Sequence, residues 1–171
     1  TVEFSATSSG GSEGSTPVNL SVALSAAVGV DVAVDYAVTG TATGGGVDYT
    51  LANGTATISA GSTSTNIALV VVNDSLIESG ETVIVTLSSP SNATLGSNTV
   101  HTYTINDNDT TVQFNAASSS GAEGTTSVNL PLAITRAVSE DVTVDYAVTG
   151  GTAAGGGVDF TLASGTATIS A

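Results

Sequence analysis

Lysine, cysteine, methionine and tryptophan are absent from this 171-residue chain, and Arg136 is its one arginine. Nucleic-acid binding is therefore excluded, because phosphate neutralisation needs clustered lysine or arginine side chains. Without cysteine there is no disulfide framework, no thiolate metal site and no cysteine nucleophile. The apolar runs are far shorter than the ~20 residues that span a bilayer, so no membrane span is predicted in this segment.

What the chain does contain is acidic and apolar. Its 15 carboxylates give a net charge of −14, and 40% of its residues are hydrophobic. That hydrophobic share is enough to build a core, so intrinsic disorder is disfavoured. A lysine-free chain rich in threonine, serine and glycine offers few sites to trypsin-like proteases. We therefore expect an extracellular or cell-surface protein.

The sequence repeats itself with a period of 110 residues. Residues 1–60 align with residues 111–171 once Gly151 is treated as an insertion, and 42 of the 60 aligned pairs are identical. The second copy stops where residue 60 of the first would fall. The chain is thus predicted to hold one complete domain, residues 1–110, and the first half of a second, residues 111–171.

Within a repeat, apolar residues alternate with polar or small ones. Val18, Leu20 and Val22 show the pattern, as do Val32 and Val34. A period of two predicts β-strands, and glycine, asparagine and aspartate clusters separate about seven of them in each repeat. The predicted fold is all-β, with tandem immunoglobulin-like antiparallel β-sandwiches.

The half repeat poses a packing problem. Residues 111–171 supply the first four strands of a sandwich and lack the last three, so one apolar face would stand open. A longer tandem array, strand donation by a neighbouring chain, or a truncation with a disordered tail would each account for this. The first two predict neighbouring copies as partners, in a head-to-tail contact that propagates into a fibre unless it closes into a ring.

Seven carboxylates of the first repeat fall at predicted turns. Several would gather at one end of a sandwich and repel one another, and a hard cation such as calcium would relieve that repulsion. Aspartate is also common in turns for local backbone reasons, so a purely structural role stays open. The seven residues are Glu13, Asp48, Asp74, Glu78, Glu81, Asp107 and Asp109.

The motifs GTATGGGVDYT, NDSLIESGE and TINDND resemble those of Calx-beta domains, over residues 1–109 and over the incomplete second copy. The resemblance implies an immunoglobulin-like sandwich with calcium at its distal loops, held by the seven carboxylates. Asn73, Ser75 and Asn108 stand where stronger binders carry acidic residues. We therefore expect one or two weakly bound ions, with dissociation constants of ~10⁻⁴–10⁻³ M.

These observations predict a non-enzymatic structural or adhesive module. It would form an extracellular stalk or fibre, with calcium stiffening the distal loops and domain junctions. The alternative is a calcium-sensing regulatory domain of the exchanger type. Catalysis is disfavoured because the one histidine, His101, shares strand parity with Tyr103 and Ile105 and is expected to be a strand-end residue.

Overall fold

A computed structural model of the chain describes residues 1–124, 127–138 and 140–171. Those residues form thirteen β-strands, and no helix among them is long and apolar enough to cross a membrane. The contacts divide the chain into two compact units, Thr1–Asp107 and Asn108–Ala171. The boundary predicted from the repeat fell after residue 110. The all-β prediction is confirmed.

The first unit contains nine strands in two sheets. They are β1 (Val2–Phe4), β2 (Ser8–Ser12), β3 (Val18–Leu24), β4 (Val32–Gly40), β5 (Tyr49–Thr50), β6 (Gly54–Ile58), β7 (Ser64–Val71), β8 (Glu81–Ser88) and β9 (Val100–Asn106). One sheet has the order β1-β3-β7-β5, and the other has the order β2-β9-β8-β4-β6. The two sheets form the predicted sandwich.

The core of the first unit follows from the alternation in its strands. Inward-facing side chains of both sheets form one apolar cluster, which includes Leu20 and Leu69 from one sheet and Val34, Val85 and Tyr103 from the other. Side chains of successive strand residues point to opposite faces, so each strand contributes every second residue to this cluster. In β7 the buried residues alternate strictly with exposed or half-exposed ones.

The structure differs from the sequence prediction in two short strands. β2 has the sequence SSGGS and β5 has only two residues, so neither carries an apolar alternation that could reveal it. β2 also pairs parallel to β9, from Ser8 opposite Thr102 to Ser12 opposite Asn106. It is the one named strand pair among the described residues that departs from the predicted antiparallel arrangement.

The second unit contains two separate hairpin-like sheets. β10 (Val112–Phe114) pairs with β11 (Leu132–Ile134), and β12 (Val142–Tyr146) pairs with β13 (Gly165–Ile169). These strands correspond to β1, β3, β4 and β6, as predicted for a half repeat. Pro131 directly precedes β11, where the first repeat continues β3 through Ser21. Proline lacks an N–H donor and so cannot donate to a strand ladder, which is consistent with a strand that starts only after Pro131.

Candidate metal centre

The first part of the candidate site is the glycine-rich loop between β4 and β5. Gly45 and Gly46 have φ angles of 78° and 92°, which glycine adopts without the steric cost of a Cβ atom. The loop brings Asp48 back toward Thr43, whose N–H donates to the Asp48 carboxylate and whose carbonyl oxygen accepts from the Asp48 N–H at 3.0 Å. The Asp48 side chain ends up buried, with 7% of its surface exposed.

The second part is the loop between β7 and β8. The Leu76 N–H donates to Asp74 Oδ1 at 2.6 Å, which is the local backbone contact expected of an aspartate in a turn. The Glu78 N–H donates to Asp107 Oδ2 at 2.6 Å, so the end of β9 holds the middle of this loop. Glu81 is the first residue of β8 and lies opposite Ile105 in the sheet.

These two loops bring three carboxylates together. Asp48, Glu78 and Glu81 each present one carboxylate oxygen, and the three oxygens lie within 4.8 Å of one another. Asp48 is buried, and the other two side chains are half-buried. We refer to these three residues as the acidic triplet.

The electrostatics of the acidic triplet favour binding of a positive charge. Desolvation raises the pKa of Glu81 above the ordinary value of 4.5, and its hydrogen bond with Asp48 raises it further. Desolvation is also the largest cause that raises the pKa of Glu78. The negative charges of Asp48, Asp74 and Asp107 raise the same pKa further. In both cases the ionised form is disfavoured, so a proton or a cation would stabilise the cluster.

The donor set of the acidic triplet fits a hard divalent cation. All three ligand atoms are carboxylate oxygens, the donors that calcium prefers. The chain has no lysine, and its one arginine, Arg136, lies in the second unit. The sequence therefore offers no lysine side chain to neutralise the three carboxylates.

The other predicted ligands are distributed around the triplet or outside the first unit. Glu13, directly after β2, is 7% exposed, and one of its carboxylate oxygens lies within 4.8 Å of one from Asp74. Asp107 accepts the Glu78 N–H described above. Asp109 belongs to the second unit, where its carbonyl oxygen accepts from Arg136 Nε at 2.9 Å.

Turn chemistry accounts for part of the acidic pattern. The Ala154 N–H donates to Asp159 Oδ2 at 2.7 Å, and the Asp159 N–H donates to the Ala154 carbonyl at 2.9 Å. The loop that carries Asp48 in the first repeat therefore also forms in the second repeat. The sequence given for the second repeat contains no counterparts of Glu78 and Glu81. The turn role of this aspartate and its place in the triplet coexist, because the turn uses only one carboxylate oxygen.

His101 has a structural role that the sequence prediction only partly anticipated. Its side chain is 4% exposed inside β9, with Nδ1 2.6 Å from the Ala6 carbonyl oxygen and Nε2 2.7 Å from Ser9 Oγ. A carbonyl only accepts, so Nδ1 donates to Ala6, and Nε2 shares the second hydrogen bond with the Ser9 hydroxyl. The sequence predicted only a strand-end residue, and His101 is the second residue of β9. Its burial and its polar contacts depend on β2, which the pattern did not reveal.

Comparisons with known proteins agree with this architecture. The sequence profile of the Calx-beta domain family matches residues 1–109 and 106–169. The apo-form Calx CBD1 domain superposes with a TM-score of 0.57 at 22% identity, over 63% of this chain and 96% of that one. The Calx CBD2 domain gives a TM-score of 0.53 at 18% identity, over 61% of this chain and 84% of that one.

A longer similar structure, CBD12 of CALX1.1, gives a TM-score of 0.59 at 21% identity, over 68% of this chain. CBD12 from CALX1.2 gives a TM-score of 0.58 at 19% sequence identity, over 67% of this chain. The chain spans about half the length of these two structures, 49% and 48% respectively. A sequence comparison with curated proteins finds no match.

Proposed function

Because the chain belongs to the Calx-beta domain family, we propose that it is a calcium-binding structural module of an extracellular stalk or fibre. The module is non-enzymatic, and its tandem sandwiches bear load or present an adhesive surface. One observation carries the proposal: the acidic triplet places three carboxylate oxygens within 4.8 Å of one another, without a lysine anywhere in the chain.

Calcium is the cation that the site chemistry favours. The triplet offers only carboxylate oxygens, whereas zinc sites in proteins use mainly thiolate and imidazole donors. Calcium takes six to eight oxygen ligands, so water or backbone carbonyls would complete the shell around the three carboxylates. The similar structure of CALX1.1 is of a calcium binding domain, which supports the same choice.

Binding is expected to be weak. Asn73, Ser75 and Asn108 place neutral side chains in the acidic motifs. Fewer carboxylates mean less charge to offset the dehydration of the ion, and extracellular modules typically bind calcium with dissociation constants of ~10⁻⁴–10⁻³ M. Such sites are filled at millimolar calcium, which agrees with the extracellular location proposed from the composition.

The position of the triplet indicates how the ion would stiffen the module. Asp48 precedes β5, which belongs to the four-stranded sheet, whereas Glu81 begins β8 in the five-stranded sheet. Glu78 lies in the loop that connects β7 and β8. A cation held by all three would join the two sheets and fix that loop. Without the cation, mutual repulsion of the carboxylates would loosen the same region.

Assembly with neighbouring copies is the second part of the proposal. The near-identity of residues 1–60 and 111–171 supports a tandem array of such repeats. The absence of cysteine and lysine, and the abundance of threonine, serine and glycine, support a cell-surface location.

Isothermal titration of the full chain with calcium tests the proposed function. We expect binding at submillimolar to millimolar calcium, and loss of the triplet site in the Glu81→Gln variant. Asp35→Asn is the matched control, because Asp35 is an exposed carboxylate of β4 that accepts from Thr55 Oγ1 at 2.7 Å. Equal calcium binding by both variants and the original chain would show that the triplet is not the site.

A further inference from the structure

One edge of the five-stranded sheet carries a serine hydroxyl in contact with a buried imidazole. β2 is the outermost strand at that edge, and its residue Ser9 is exposed. Ser9 Oγ lies 2.7 Å from Nε2 of His101, whose side chain is 4% exposed. A hydroxyl on an exposed residue is thus paired with a nitrogen base that is shielded from solvent.

Two further contacts fix the orientation of His101. Its Nδ1 lies 2.6 Å from the Ala6 carbonyl oxygen, which only accepts hydrogen bonds. The Phe4 ring packs beside the imidazole, with the two ring centroids 5.5 Å apart. In a neutral imidazole, donation from Nδ1 leaves the lone pair of Nε2 directed at the Ser9 hydroxyl. A hydroxyl, a base and a group that orients the base therefore stand in the order that activates a serine nucleophile.

The backbone next to Ser9 supplies a hydrogen-bond donor at the same edge. The Thr7 carbonyl accepts from the Thr102 N–H at 3.0 Å, and alternate residues of a parallel strand bond the same neighbour. Ser9 therefore bonds β9 through its backbone, whereas the Gly10 N–H points to the open side of the strand. An N–H directly after the nucleophile is placed to stabilise the oxyanion that forms in acyl transfer.

We propose that Ser9 is a modification site that takes an acyl group from an activated ester, with His101 as its base. Ser9 Oγ attacks the carbonyl carbon and forms a new ester bond. His101 Nε2 takes the hydroxyl proton and passes it to the leaving oxygen as the original ester bond breaks. One ester is formed and one is broken, so the reaction needs no other reactant. It is a single modification without turnover, and it does not depend on calcium.

The position of the site indicates the kind of acyl donor. Ser9 and Gly10 lie on an open strand edge, which offers little surface for binding the rest of a large donor. Binding energy therefore contributes little to lowering the barrier, and a good leaving group has to do so. A small acyl group on a phenol-type leaving group fits these conditions.

Acetylation by p-nitrophenyl acetate, followed by fragment mass spectrometry of the full chain, tests the proposal. We expect Ser9 to be acetylated on the order of 100-fold faster than the other hydroxyl side chains, which is the usual contribution of a positioned base. The Ser9→Ala variant should lose this fast reaction. Ser8→Ala is the matched control, because Ser8 is also exposed in β2 and its side chain points to the opposite face of the sheet. It should leave the rate at Ser9 unchanged.

The base is tested with His101→Gln, whose side-chain amide can still donate to the Ala6 carbonyl but takes up no proton. Acetylation of Ser9 should fall on the order of 100-fold in this variant. Hydrogen exchange of β9 checks that the strand stays folded. A measurement without any substitution accompanies it: in urea that unfolds the chain, the preference for Ser9 should vanish.

Acetylation of Ser9 at the rate of Ser8 in the native chain would overturn the proposal. A rate at Ser9 that is unchanged in His101→Gln, or that persists in urea, would also overturn it. The contact of Ser9 with His101 would then serve only to hold β2. Calcium titration of the Ser9→Ala chain should match the original chain in every case, so failure of this proposal is distinguishable from failure of the proposed function.

Discussion

The replacement of Glu81 by glutamine is expected to have opposite effects on stability with and without calcium. In calcium-free buffer the Glu81 carboxylate lies within 4.8 Å of two others and its pKa is raised, first by desolvation and then by Asp48. Glutamine keeps the shape and removes the charge, so the free energy of unfolding of the first unit should rise. In calcium the same change removes a ligand, so the stabilisation by the ion should be lost.

The two effects differ in size. Relief of repulsion between partly solvated charges is worth about 0.2–1 kcal/mol. Calcium at about 10 mM, with a dissociation constant of ~10⁻⁴–10⁻³ M, stabilises the native state by about 1.4–2.7 kcal/mol through mass action. For a unit of this size, stabilisation by calcium corresponds to a rise in melting temperature on the order of 6–12 °C. The stability order of the original chain and the variant should therefore reverse on addition of calcium.

Calorimetric melting with chelator and with 10 mM calcium, about ten- to a hundredfold above the expected dissociation constant, measures this reversal. The transition of the first unit is assigned by hydrogen exchange of β8, because the two units need not melt together. Asp35→Asn again controls for net charge and should keep the full calcium response. A variant that is less stable than the original chain in chelator, or that keeps the calcium response, would refute the reasoning.

The remaining predictions concern protonation, a buried side chain and a strand end. In chelator, urea unfolding should show that the free energy of unfolding rises as the pH falls from about 7 toward 4.5. The two glutamates of the acidic triplet have raised pKa values in the native state, so the native state binds protons more tightly than the unfolded chain. A free energy of unfolding that stays flat or falls over this pH range would contradict the prediction. Below 4.5 stability should decline, because hydrogen bonds from the backbone N–H groups of Asn98 and Ser97 hold the pKa of Glu3 low, and acid removes that contribution. His101→Ala should lower the free energy of unfolding by about 2–4 kcal/mol, because it empties a buried site and leaves the Ala6 carbonyl without its donor. A loss below about 1 kcal/mol in urea unfolding would argue against a stabilising role of the His101 hydrogen bonds. Gly40→Ala should lower the free energy of unfolding by about 2–4 kcal/mol, because φ is 134° and the new Cβ would overlap the Thr82 carbonyl oxygen. In the control Gly150→Ala the new Cβ meets no atom, so the free energy of unfolding should change by less than about 1 kcal/mol.

Apolar alternation was sufficient to predict most of the sandwich. Strands such as β3 and β4 carry every second side chain into the core, and that pattern is visible in the sequence. β2 could not be found in this way, because Ser8–Ser12 has no apolar side chain. Its position comes from backbone pairing with β9 and from the His101 contacts with Ala6 and Ser9, which depend on residues more than 90 positions away.

The acidic residues were predictable as a group but not as a site. Their concentration at turns indicated a cluster, and the family motifs named seven positions. The pairing of Glu81 with Ile105 and the fold of the loop that carries Asp48 decide which carboxylate oxygens lie close together. Neither the pairing register nor the loop geometry can be read from the spacing of acidic residues.

A crystal structure of the chain grown with millimolar calcium, with an anomalous difference map, would test the central claim most directly. The account predicts an anomalous peak bounded by carboxylate oxygens of Asp48, Glu78 and Glu81, and its absence from crystals of the Glu81→Gln variant. Ordered carboxylates surrounded only by water at the same calcium concentration would contradict the claim that the acidic triplet is a calcium site.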